Sequence, residues 1–131
     1  LTRYGAMIEA SKKVKPWRND VKEAALQCYN SGALNLPVKA EIEFVFPRPK
    51  SHFGSGKNAK VLKASSPKHC ISRGNGDIDK LARSTLDGLS VSAGGSVLED
   101  DSLVVELNTK KRYVNKDELP GAYIAISSIC D

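Results

Sequence analysis

At 131 residues, with 40% hydrophobic and 27% charged residues, the chain has the proportions of one globular domain spanning residues 1–131. No apolar run approaches the roughly 20 residues that cross a bilayer, and three scattered cysteines, Cys28, Cys70 and Cys130, do not suggest a disulfide framework. The net charge of +5 is unevenly placed: Pro47–Arg73 holds seven basic residues and no acid, which leaves −2 for everything else.

Tyr4–Ser11, "YGAMIEAS", alternates weakly and is read as a short strand. Pro16 suits a first helical turn, and Trp17, Val21, Ala24, Ala25 and Cys28 recur at helical spacing until Gly32. Trp17 and Cys28 are assigned to the core on that pattern. Val38–Phe46, "VKAEIEFVF", is the clearest strand, with Val38, Ala40, Ile42, Phe44 and Phe46 on one face and Lys39, Glu41 and Glu43 facing solvent.

From Pro47 to Gly76 the chain loses periodicity and carries three prolines and four glycines. A compact domain seldom spends about 30 residues this way unless the loop is functional or disordered. The basic residues Arg48, Lys50, Lys57, Lys60, Lys63, Lys68 and Arg73 lie inside it, and a one-sign run of that size points to a polyanionic partner.

Ile78, Leu81, Ala82, Thr85, Leu86 and Leu89 then follow the spacing of an amphipathic helix. Leu103–Tyr113 and Ala122–Ile129 read as strands. The order strand, helix, strand, helix, strand, strand predicts an α+β domain: a mixed sheet, two main helices packed against it and a long basic loop.

Two acidic clusters interrupt this pattern, Asp77 and Asp79 before the second helix and Glu99-Asp100-Asp101 before the next strand. Asp77 and Asp79 would diverge by about 200° inside a helix but point the same way in an extended segment. Two readings are open. Acids at a helix start cap it and gain from its dipole. Alternatively, Asp100 or Asp101 joins Asp77 and Asp79 around Mg²⁺ or Mn²⁺, which favours a few carboxylates and activates water against a phosphodiester. Three adjacent acids repel one another, a cost that falls if a cation sits among them or if they are fully solvated. Arg83 lies four residues from both Asp79 and Asp87. It is either an ion-pair partner worth a few tenths of a kcal/mol or a cation for the scissile phosphate, and Lys80 has the same two readings. His52, His69 and Cys70 lack the spacing of a zinc site.

"DIDKLARSTLDGL", a short loop and then "LEDDSLVVEL" resemble the RusA family of Holliday-junction resolvases, common in phages and prophages. Trp17-Arg18 opening a helix and "RPKSHFG" in the loop are similar to its phage-borne members. The resemblance runs from about Trp17 to Ile129. It implies a Mg²⁺-dependent homodimeric endodeoxyribonuclease that cuts a four-way DNA junction symmetrically, and the odd, scattered cysteines make the reduced cytoplasm, of a bacterial or phage-infected cell, its expected location.

By motif position, Asp77, Asp79 and Asp101 match the family's metal-binding acids. Asp100 matches the first acid of its Asp-Asp pair, and Arg83 its helical basic residue, usually Lys. On this resemblance the acids are a metal site rather than caps. The basic residues of the loop, with Lys80, become candidate DNA contacts. Lys80 replaces the family's Asn, and Arg at position 83 supplies charge and bidentate phosphate binding but not a proton. Part of the family's opening, a strand and a Pro/Asn/Ser-rich loop, is expected to be absent or disordered. The same acids would also serve a less selective nuclease of branched or flap DNA. A catalytically inactive DNA-binding module would keep them only as caps.

Overall fold

The computed structural model describes residues 3–9 and 16–129. In chain order these form β1 (Arg3–Glu9), α1 (Trp17–Cys28), β2 (Val38–Phe46), α2 (Ile78–Leu89), β3 (Val104–Tyr113) and β4 (Gly121–Ser128). The expected absence of the family's opening is corrected for its strand: β1 is present and pairs antiparallel with β4. Residues 10 and 11 of the predicted first strand lie outside the described residues.

The sheet order is β1-β4-β2-β3, with β3 parallel to β2 and β4 antiparallel to both β1 and β2. This is the mixed sheet with two helices that the element order predicts. Strand β2 is central because its alternation supplies one wholly apolar face. Val38, Ala40, Ile42 and Phe44 are buried there, joined by Ala122, Ile124 and Ile126 of β4. The valine, isoleucine and phenylalanine side chains among them each contribute about 1.5–3 kcal/mol on burial. Glu41 and Glu43 take the other face, as expected, where Glu43 meets Lys110 at 2.8 Å and Arg112 at 3.1 Å.

Both helices pack against the sheet and against each other. A Cβ on Gly88 would stand 2.8 Å from that of Val21 and 2.9 Å from the Arg18 carbonyl, so this close crossing requires glycine. Trp17 is partly buried beside it and donates through Nε1 to Thr85 Oγ1 at 2.9 Å. The core assignment of Cys28 is corrected, because its side chain is exposed. The buried stripe runs Val21, Ala25, Tyr29 in steps of four, which turns position 28 outward.

Two parallel neighbours need a long crossover, and here it consists of the basic loop and α2. The loop leaves β2 beside the end of β3, where Phe46 pairs with Tyr113. Among the described residues no helix is long and apolar enough to cross a membrane.

Candidate active site

The approach to α2 is set by glycine. Gly76 has φ +86° and ψ 170°, a conformation essentially closed to other residues, and its carbonyl accepts a hydrogen bond from Lys111 Nζ at 2.9 Å. Asp77 follows in extended conformation at the N-cap position. A capping aspartate spends its carboxylate on helix N–H groups, and this one makes no such bond. Its only ion pair among the described residues is with Lys80 at 3.5 Å, both side chains being mostly solvent-exposed. Such a pair is worth little in water. Asp79 lies in the first turn of α2, exposed, with no hydrogen-bond or ion-pair partner among the described residues. Arg83 is also exposed and pairs with neither Asp79 nor Asp87; the Asp87 carboxylate faces Arg18 at 3.7 Å instead.

The second acidic segment is a turn, Asp101–Leu103, that precedes β3 and contacts α2. Asp100 is its N-cap, and here both carboxylate oxygens accept hydrogen bonds. Oδ1 accepts from Ser92 Oγ at 2.6 Å and Oδ2 from the Ser102 N–H at 3.1 Å. These serine donors hold its pKa down at about 2. Asp101 is exposed, and its carboxylate has no partner among the described residues. The fold thus brings the two acidic segments onto adjoining elements. It does not bring three carboxylates into one cluster, since no group of three or more metal-ligating side chains converges among the described residues.

The basic loop is held in place around one aromatic ring. The Arg48 guanidinium stacks 4.4 Å from the centre of the Tyr113 ring, donates to the Pro67 carbonyl at 2.7 Å and lies 3.3 Å from His52 Nδ1. His52 meets the same ring edge-on at 5.3 Å, and its carbonyl accepts from Ser66 Oγ and the Lys63 N–H. Arg48 is therefore occupied in holding the loop. Lys50, Lys57, Lys60, Lys63, Lys68 and Arg73 are exposed and have no carboxylate partner among the described residues.

The family model Endodeoxyribonuclease RusA matches residues 1–127. The chain belongs to the RusA endodeoxyribonuclease family. No curated protein matches it. For a RusA-family nuclease, which in general terms resolves Holliday junctions, the donor set is chemically apt. Asp77, Asp79 and Asp101 carry the hard oxygens that a divalent cation takes, and among the described residues none of the three carboxylates is spent on a helix cap or a buried ion pair, although they do not form one cluster.

The sequence reading missed Lys111 and Tyr113, the two β3 side chains that meet the loop's ends. Strand alternation could have found them. In "KKRY" one lysine must share a face with Tyr113, and Lys111 does so while Lys110 turns to Glu43. Ser92, which anchors Asp100, carried no sequence signal.

Proposed function

We propose that this RusA-family chain is a divalent-metal-dependent endodeoxyribonuclease. It works as a homodimer and resolves four-way junctions by paired, symmetric phosphodiester hydrolysis in the cytoplasm of its host cell. The observation that carries this reading is the unspent carboxylate of Asp77 at a position where a structural aspartate would cap. Family membership and the adjoining Asp101 turn support it.

Asp77, Asp79 and Asp101 are the residues that would hold Mg²⁺ or Mn²⁺, and Asp100 shapes the turn that presents Asp101. When bound, the ion polarises the phosphodiester and lowers the pKa of a water for in-line attack. Arg83, without an ion-pair partner among the described residues and one helical turn beyond Asp79, is the cation available to the charge that develops on the phosphate. The exposed loop lysines bind the backbone of branched DNA through counterion release.

The test is cleavage of a labelled four-way junction beside a linear duplex of matching sequence. It is run with Mg²⁺ and with EDTA, for the wild type and for Asp77→Asn. Paired nicks that need metal and Asp77 are expected, with junction binding kept or tightened in the variant as negative charge is removed near phosphate. Equal cutting of the duplex would reduce the activity to a less selective nuclease. Tight binding without cutting in metal would point to an inactive binding module.

A further inference from the structure

The two ends of the basic loop are fastened to one face of one strand. Tyr113 receives Arg48 and His52 near the loop's start, and Lys111, two residues earlier on β3, holds the Gly76 carbonyl at its end. That carbonyl belongs to the peptide linking Gly76 to Asp77. Glycine can adopt the required conformation, but it does not enforce it, because it visits many others at similar energy. Something outside the loop must fix the peptide, and the Lys111 ammonium does so through a charge-assisted bond from a strand registered on β2 at Phe44. The lysine is partly buried and spends this bond on a backbone carbonyl rather than on a carboxylate.

We infer that Lys111 is a positioning residue for the acid pair: by holding the Gly76 carbonyl it sets the direction in which Asp77 and Asp79 leave the loop. This rests on the proposed nuclease site, which it deepens. It also assigns the two neighbouring lysines opposite duties. Lys110 belongs to the open face of the sheet with Glu43, and Lys111 to the site. Because the same strand also anchors the loop's start, the register of β3 on β2 fixes the acids and the loop lysines relative to each other.

The test uses the full chain with Lys111→Met, which keeps the stem and removes the donors, and Lys111→Arg, which restores a cationic donor. Four quantities are read: kcat on a four-way junction, Kd for that junction in EDTA across a salt series, Mn²⁺ affinity by electron paramagnetic resonance, and amide hydrogen exchange over residues 76–81. In Lys111→Met, kcat falls by about ten- to a hundredfold, the cost expected of a small misplacement. Mn²⁺ binding weakens, exchange over 76–81 quickens, and junction Kd and its salt slope stay unchanged. Lys111→Arg recovers most of each loss.

The inference is overturned if the loss lies in Kd, with the salt slope lower by about one and exchange unaltered, since Lys111 would then be a phosphate contact. It is equally overturned if all four readings match the wild type. Should the wild type cut no DNA, the nuclease reading fails, while Mn²⁺ affinity and exchange still decide whether Lys111 positions the acids.

Discussion

Asp77 and Asp100 occupy the same local position, an extended residue at the N-cap of a helical turn, and they use their carboxylates in opposite ways. Asp100 is satisfied twice by serine donors, while Asp77 makes no capping bond and, among the described residues, meets only an exposed lysine. The neighbours decide this. Ser92 returns from the loop after α2 to face Asp100, whereas Asp77 follows a glycine whose carbonyl, not its carboxylate neighbour, takes the nearby cation. An acid before a helix is thus a cap only when its surroundings use it as one. An acid left unspent beside another unspent acid marks the place to look for chemistry.

The largest expected effects break this contrast directly. Asp79→Asn and Asp101→Asn lose more than about a hundredfold in junction cleavage, beyond what removing an outer supporting group costs. Asp100→Asn loses about tenfold or less, because on the proposed assignment it loosens the turn that carries Asp101 without removing a ligand. Single-turnover rates in Mg²⁺ for the three variants check the order. If Asp100→Asn is as inactive as the other two, the division between ligand and turn-former is wrong.

A smaller effect separates the loop residues. Lys57→Ala and Lys60→Ala each weaken junction binding severalfold and lower the salt slope by about one, as exposed phosphate contacts do. Arg48→Ala also weakens binding, but through disorder of the loop, since its guanidinium is committed to Tyr113 and Pro67. Its salt slope stays near that of the wild type. Titrations of a labelled junction at several salt concentrations distinguish the two behaviours.

Where the sequence was legible, the signal was periodic and the neighbours were close in the chain. The alternation of Val38–Phe46 and the apolar spacing of Ile78–Leu89 announce a central strand and a core helix, and both formed there. The mixed sheet followed from the order of such elements. Cys28 was misplaced because a narrow stripe, Val21 to Ala25 to Tyr29, buries one position further on, and a residue set with helical spacing does not say which edge of the stripe is wet. The loop's order was not legible. It depends on Arg48 reaching Tyr113 and Lys111 reaching Gly76, contacts that exist only once β3 is laid beside β2. For the acids, motif spacing identified the candidates, but which carboxylates were spent depended on Ser92 and Gly76.

The smallest expected effect tests the spent carboxylate through protons. Asp100 is drawn from the ordinary 3.8 to about 2 in the folded chain, chiefly by Ser102 and Ser92. A depressed carboxylate pKa means the unfolded state takes up protons first. Its stabilisation is therefore complete above about pH 4 and is lost as pH falls through 2. In Asp100→Asn that contribution is absent at every pH, so wild type and variant should differ in unfolding midpoint near neutral pH and converge between pH 4 and 2. Glu118, held at about 2 by the Arg112 fork, titrates in both proteins and cancels in the difference. Denaturant melts at pH 7, 4, 3 and 2 read this gap. A gap that stayed constant down to pH 2 would mean that the serine contacts do not favour the ionised form, and Asp100 would rejoin Asp77 among the unspent acids.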